Sequence, residues 1–204
     1  MKSFIRLGIC IPLAYILIIS CSCIDVRYPT KGKPVVLQEN TSLVFGRIQV
    51  IEDNVDVTSD FCDPMNISST ADRLLNFTLL DLETRKVVLT VIAESDGSFY
   101  WILPNGYFRI TNIGYRTDVD PYLAFSVNGS NRYIYIGNIV LKSKSNIVPH
   151  LSLRKHKANL KTEISDINIT VEDDFIDEAN GLKARFPNVA ERVMKGLMIA
   201  NYDR

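Results

Sequence analysis

The sequence is poor in the side chains that most enzyme active sites require. It contains only two histidines, His150 and His156, in a basic stretch with no acidic residue between them. It contains no Gly-x-Ser-x-Gly elbow, no P-loop and no glycine-rich dinucleotide fingerprint. A zinc site on the two histidines is the alternative, but imidazole ligands need neighbouring acceptors that this stretch lacks. We therefore predict no catalytic residue, no metal and no cofactor.

The chain also lacks an excess of either charge. Its 23 basic and 23 acidic residues cancel, and removal of residues 1–20 leaves 21 basic against 23 acidic. A protein without a positive field has no long-range attraction for nucleic acid. We therefore predict no nucleic-acid partner. With 47% hydrophobic and 23% charged residues, the composition is that of a globular protein.

The N-terminus has a charged start and a short apolar core. Lys2 and Arg6 precede an acid-free apolar run over residues 7–19, which is typical of a secretory signal. A membrane-spanning helix needs about 20 apolar residues, and this run is shorter and contains Pro12. We predict a signal peptide over residues 1–20, with a retained signal anchor as the alternative.

The end of this run resembles the lipobox of bacterial lipoproteins. Ile18-Ile19-Ser20-Cys21 has an aliphatic residue three positions before the cysteine and a small residue directly before it. The resemblance implies lipid attachment at Cys21, and two or three acyl chains give stable anchoring. By the sorting rule of such lipoproteins, Ser22 implies the outer membrane, with the protein facing the periplasm of the cell envelope.

A eukaryotic secreted glycoprotein is the competing interpretation, because the sequence contains several Asn-x-Ser/Thr sequons. These begin at Asn40, Asn66, Asn76, Asn128 and Asn168.

The remaining cysteines and the residues after the anchor give two further expectations. Cys10 leaves with the signal peptide and Cys21 carries lipid, so Cys23 and Cys62 remain and could pair in an oxidising compartment. Residues 21–41 contain Pro29, Lys31, Gly32, Lys33 and Pro34 without a hydrophobic period, which indicates a lipid-anchored tether.

Residues 42–142 consist of short β-rich runs separated by turn residues, which predicts a mainly β fold. The turns are Asp96-Gly97, Pro104-Asn105-Gly106 and Asn128-Gly129, and we expect the first to join two strands as a hairpin. In the strand after the second turn, Tyr107, Arg109 and Thr111 alternate with apolar residues. About seven short strands at regular spacing predict an antiparallel β-sandwich. The strands are expected over residues 43–51, 73–82, 86–93, 98–103, 107–113, 122–127 and 133–141.

Two of these runs resemble carboxypeptidase regulatory-like domains. The residues that carry the resemblance are Glu94-Ser95-Asp96-Gly97-Ser98-Phe99 and Leu103-Pro104-Asn105-Gly106-Tyr107, with Gly46 in an opening strand and Ile136-Gly137-Asn138-Ile139 in a closing strand. The resemblance covers residues 42–142, apart from an inserted polar loop at 62–71. It implies a seven-strand prealbumin-like sandwich that serves as an accessory or interaction module.

The strand pattern stops after residue 142. Residues 143–162 form a basic linker, with a phosphate or lipid headgroup site as the alternative. Residues 163–204 predict one more strand and then a helical hairpin that begins at Asp173-Asp174 and is interrupted by Pro187. Helices this short are unstable alone, so this small helical appendage must pack on the sandwich, which we favour, or on a partner.

Four aromatic residues are the candidate contacts for a ligand or partner: Tyr100, Trp101, Tyr107 and Tyr115. Successive residues of a strand face opposite sides, so either Tyr100 or Trp101 should point outward. An exposed aromatic row could stack on sugars or bind a protein, with core packing as the alternative.

The sequence as a whole predicts a membrane-anchored cell-envelope lipoprotein with a non-catalytic binding or scaffolding sandwich. Its expected partner is an envelope protein or glycan. An envelope hydrolase or a carbohydrate-binding accessory protein is the alternative.

Overall fold

The computed structural model of the chain describes residues 28–62, 77–90, 93–113, 116–117, 122–129, 132–143, 168–189 and 193–201. The signal peptide, Cys21, Cys23, Tyr115, both histidines and nearly all of the 143–162 linker lie outside these residues. The helices among them are α1 (Thr58–Cys62) and α2 (Phe175–Arg185). The strands are β1 (Thr41–Glu52), β2 (Val55–Asp56), β3 (Phe77–Asp81), β4 (Val87–Thr90), β5 (Ser98–Pro104), β6 (Gly106–Ile113), β7 (Arg116–Thr117), β8 (Tyr122–Val127), β9 (Arg132–Ser143), β10 (Asn168–Glu172), β11 (Val193–Lys195) and β12 (Ile199–Asn201).

The strands form two sheets, so the predicted mainly β class is confirmed. In sheet A, β9 lies between β1 and β10, β11 also pairs with β9, and β5 and β2 pair with β1. In sheet B the order is β12-β8-β6-β3-β4, and β7 pairs with β6. No helix in the described part of the chain is long and apolar enough to cross a bilayer.

The main apolar core lies between the two sheets. Alternate residues of β8 point into it, since Leu123 and Phe125 are buried while Ser126 is exposed. At its centre the ring of Trp101 stacks on Phe99 with centroids 4.2 Å apart and meets Phe77 edge-on at 5.2 Å. Apolar residues of both sheets therefore hold the layers together.

The expectation of purely antiparallel pairing is wrong, because sheet A is mixed. β1 pairs with β9 in parallel over ten residue pairs, and β11 also runs parallel to β9. Parallel neighbours need a crossover connection rather than a tight turn. Here β3, β4, β6, β7 and β8 of sheet B lie between β1 and β9 in sequence, and they provide that crossover.

The predicted hairpin at Asp96-Gly97 is also wrong. Gly97 has the positive φ of 85° that the turn requires, and its N–H donates to the carbonyl of Glu94 at 2.8 Å. The flanking strands nevertheless separate, because β4 pairs with β3 in sheet B whereas β5 pairs with β1 in sheet A. The turn reverses the chain locally, but burial of both strands selects their distant partners.

At the other two predicted turns the flanking strands also lie in different sheets, so each turn connects the two sheets. β5 and β9 lie in sheet A, whereas β6 and β8 lie in sheet B. Gly129 has a φ of 99°, but Gly106 does not have a positive φ.

After β10, the described C-terminal residues form one helix and two strands instead of a helical hairpin. The strand before the helix is confirmed as β10, which pairs with the edge of β9. α2 also forms as expected. The prediction of a second helix is wrong. The N–H groups of Gly196 and Met198 instead donate to the carbonyls of Tyr135 and Ile136 in β9, both at 2.9 Å. β-branched residues and a glycine disfavour a helix here, and the edges of β9 and β8 offer hydrogen bonds instead. Residues 193–201 thus pass from sheet A to sheet B.

The described part of the predicted tether is attached to the body. Val35 is only 5% exposed and lies in an apolar cluster beneath α2. Its N–H donates to Oδ1 of Asn188 at 2.7 Å, and Nδ2 of Asn188 donates to its carbonyl at 2.8 Å. A segment without periodicity looked like a free spacer, but Val35 is buried and Leu37 is partly buried in the cluster beneath the helix.

Candidate functional site

The predicted aromatic contacts do not form a row. Trp101 is fully buried between the sheets, so its prediction as a contact residue is wrong. Tyr100 lies on the opposite face of β5, against the ring of Phe186 with centroids 5.3 Å apart. Tyr107 is 36% exposed on the outer face of sheet B. The structure therefore leaves Tyr107 as the accessible member of the predicted set among the residues it describes.

The outer face of sheet A is covered by α2. Phe175, Ala179, Leu182 and Phe186 face the sheet, as their spacing predicts, and Leu182 and Phe186 are fully buried. They pack on Phe45 and Tyr135 and close this face. The expectation that the helix packs on its own sandwich is confirmed.

Polar groups line the seam between the start of α2 and sheet A. The hydroxyl of Tyr135 accepts a hydrogen bond from the N–H of Asp174 at 2.9 Å, and Nδ2 of Asn138 donates to Oδ2 of Asp174 at 2.9 Å. Burial raises the pKa of Tyr135 to about 12. Burial also raises the pKa of Glu178, which the nearby Asp96 and Asp174 raise further. These contacts attach the helix to the sheet.

The other end of α2 is attached by a second polar contact. Arg185 forms an ion pair with Glu94, and its guanidinium carbon lies 4.8 Å from the ring centroid of Tyr100. Burial raises the pKa of Tyr100. Arg185 is thus directed at partners within the body.

The described residues offer little to nucleophilic or metal chemistry. They contain no group of three His, Cys, Asp or Glu side chains placed to hold a metal ion. Cys62 is a buried free thiol, and burial raises its pKa to about 12. At neutral pH it is therefore protonated and unreactive.

The outer face of sheet B carries a continuous row of side chains. The pairing register aligns Val87, Leu80, Arg109, Ala124 and Ile199 across five neighbouring strands. With strands about 4.8 Å apart, this row is about 19 Å long. Val87 at one end of the row is 54% exposed and Ile199 at the other end is 52% exposed, whereas Ala124 between them is fully buried. We call this row, together with Tyr107 and Tyr122, the open face.

Arg109 lies at the centre of the open face. Its guanidinium carbon is 4.3 Å from the ring centroid of Tyr122, within the range of a cation–π interaction. Its Nε is buried without a hydrogen-bond acceptor, and no carboxylate in the described part of the chain forms an ion pair with it. Stacking on an aromatic ring leaves the edge of a guanidinium available to a carboxylate. The open face therefore presents a cation that no carboxylate of the described residues pairs with, beside apolar and aromatic side chains.

Sequence reasoning placed Tyr107, Arg109 and Thr111 on one side of a strand, and this alternation is confirmed by the burial of Phe108 and Ile110. It missed Tyr122, which contacts Arg109, and it missed Val87 and Ile199, which lie two strands from Arg109 in the same row, because only the pairing of separate strands brings these residues to one face.

Comparison of the chain with protein-family models, with curated proteins and with solved structures finds no match in any of the three. The open face is therefore identified from its geometry and chemistry.

Proposed function

We propose that this protein is a lipid-anchored cell-envelope lipoprotein whose sandwich binds another envelope protein through the open face. The observation that carries the proposal is Arg109, which stacks on Tyr122 in a row that ends at the exposed Val87 and Ile199 and forms no ion pair with a carboxylate of the described residues. The lipobox-like residues before Cys21 support the anchor. The resemblance to carboxypeptidase regulatory-like domains supports an accessory role, although a fold alone does not fix a function.

The composition of the open face favours a protein partner. Arginine and tyrosine are enriched among the residues that contribute most to protein–protein binding, and aliphatic side chains supply buried apolar area around them. Because Arg109 has no carboxylate partner in the described residues, we expect the partner to supply an aspartate or glutamate. A glycan would need more aromatic platforms and more hydrogen-bonding side chains than this row provides.

The anchor is tested by the variant Cys21→Ala. Without the thiol that accepts the lipid, the protein should move to the soluble fraction or accumulate with its signal peptide uncleaved. Fractionation of cells and detergent partitioning measure this, with Cys62→Ala as the control that keeps the protein at the membrane. A Cys21→Ala protein that matures normally and still needs detergent for release would contradict the anchor.

The binding face is tested by photocrosslinking in intact envelopes. A photoreactive residue in place of Val87 or Ile199 should give a discrete protein adduct, and the second substitution Arg109→Glu should abolish it by repelling the partner's carboxylate. The same probe in place of Ile176 on α2, which is 73% exposed, is the matched control and should give no such adduct. An adduct that persists with Arg109→Glu, or that forms equally from position 176, would contradict the proposal that the open face is the binding site. A glycan adduct in place of a protein adduct would change the class of partner.

A further inference from the structure

The chain enters the body at the C-terminal end of α2. The N–H of Gly32 donates to the carbonyl of Arg185 at 3.2 Å, and Val35 is held by both polar groups of the Asn188 side chain. The segment nearest the predicted lipid therefore has a fixed position on the body, on the side that carries sheet A and the helix.

This attachment limits how far the helix end can lie from the lipid. Tyr28 is seven residues after Cys21, and a fully extended chain spans at most about 3.6 Å per residue, or about 25 Å here. A free tether of twenty residues would reach about 72 Å by the same measure. An acylated Cys21 lies at the bilayer surface, so Tyr28 lies within about 25 Å of that surface, and Gly32 at the helix end, eleven residues after Cys21, lies within about 40 Å of it.

The surface at this end has the composition of a membrane interface. Lys31, Lys33 and Lys183 are exposed, and no carboxylate in the described residues forms an ion pair with them. Beside them Tyr28 is 46% exposed and Val36 is 76% exposed. Lysines bind anionic headgroups, while tyrosine and aliphatic side chains enter the headgroup region. We call these five residues the basal surface.

The acidic residues of α2 are kept at its other end. Asp177 and Glu178 are in the first turn, whereas Lys183 and Arg185 are in the last turn. A helix of eleven residues is about 16 Å long at about 1.5 Å per residue, so these carboxylates are separated from the lysines of the basal surface. Only the C-terminal end of the helix is suited to a negatively charged surface.

We propose that the basal surface rests on an anionic phospholipid bilayer, so that the body has a fixed orientation with the open face directed away from the membrane. This inference rests on the lipid anchor of the proposed function. The basal surface lies on the sheet A side, and the open face is on the opposite outer face of the sandwich. The bilayer contact and the partner contact are thus separate surfaces that can be occupied together.

The test uses the mature chain with Cys21→Ala, so that the acyl chains do not mask the weaker contact. Its partition onto vesicles of phosphatidylcholine mixed with phosphatidylglycerol should exceed that onto phosphatidylcholine alone. Each lysine near an anionic surface contributes about fivefold in partitioning, so the triple variant Lys31→Gln/Lys33→Gln/Lys183→Gln should lose about a hundredfold. Lys86→Gln/Lys142→Gln/Lys195→Gln removes the same charge elsewhere and should lose far less.

Failure of this inference can be distinguished from failure of the anchor. If both triple variants lost the same degree of vesicle binding, or if the protein showed no preference for phosphatidylglycerol, the proposed membrane contact of the basal surface would be overturned. Cys21-dependent anchoring in cells would still stand. In the opposite case, a Cys21→Ala protein that stays detergent-dependent in cells would overturn the anchor on which the orientation depends. A hundredfold loss confined to the basal triple variant would support the proposed orientation.

Discussion

A chain that ends at Glu172 should fail to reach a cooperatively folded state. The truncation removes α2, with the fully buried Leu182 and Phe186, and also Met198, which is 5% exposed in the core between the sheets. Burial of a large apolar side chain contributes about 1.5–3 kcal/mol, so these three alone account for several kcal/mol. A domain is stable by only about 5–15 kcal/mol. Removal of α2 also exposes Phe45 and Tyr135 to solvent, which lowers the stability further.

Urea unfolding followed by the fluorescence of Trp101 measures this prediction, together with two point variants of the complete chain. Phe186→Ala should cost about 3–5 kcal/mol, the usual range for a buried phenylalanine. Ile176→Ala, on the exposed side of the same helix, should change stability by no more than about 0.5 kcal/mol. A truncated chain that unfolds at the same denaturant concentration as the full chain would mean that α2 contributes nothing to the fold.

Replacement of Gly97 by alanine should be among the most destabilising single changes in the sandwich. The residue has a φ of 85°, and a Cβ there would lie 2.1 Å from the carbonyl oxygen of Ile48 and 2.8 Å from Cγ2 of Thr58. The positive φ costs an L-residue about 1–2 kcal/mol. The contact with a backbone oxygen forces β1 away from the turn and weakens the hydrogen bond from Ile48 N–H to the Gly97 carbonyl, now 2.8 Å. We expect a total loss of about 3 kcal/mol or more.

Gly106→Ala is the matched comparison, because this glycine does not have a positive φ. Its added Cβ would meet ring carbons of Phe108 at 3.2 Å, which a small ring movement relieves. Both glycines end tight turns in the sequence, which predicts a positive φ at each, and for Gly106 that prediction is wrong. Denaturation of both variants should show a clearly larger loss for Gly97→Ala. Equal losses would indicate that backbone conformation at Gly97 is not what limits substitution.

Local patterns in the sequence predicted which segments become strands. Residues 122–127 match β8, and the alternation of Tyr107 and Arg109 with buried neighbours matches β6. Strand pairing could not be predicted in the same way. An Asp-Gly turn stabilises a reversal of the chain, but the buried faces of β4 and β5 fit different layers. Partner choice depends on contacts between residues far apart in sequence.

The wrong prediction of a second C-terminal helix has a similar cause. Val189, Val193 and Leu197 are spaced four residues apart, which fits a helix, yet residues 193–201 pair with the edges of β9 and β8. Hydrogen bonds offered by an existing sheet outweigh a weak helical preference. The open face was partly foreseeable for the same reason: one strand gave Tyr107 and Arg109, while Tyr122 and Ile199 required the register of the whole sheet.

The parallel pairing of β1 has a mechanical consequence. A load applied through the N-terminus pulls β1 along its own axis, and β1 is joined to β9 by ten residue pairs and to β5 by seven. Such a load acts in shear, so many hydrogen bonds must break together, whereas a peeled edge strand loses them one at a time. Forced unfolding is governed by the rate of the opening step, and shear makes that step slow. The strand that follows the proposed lipid attachment is therefore the one best placed in this sandwich to bear tension.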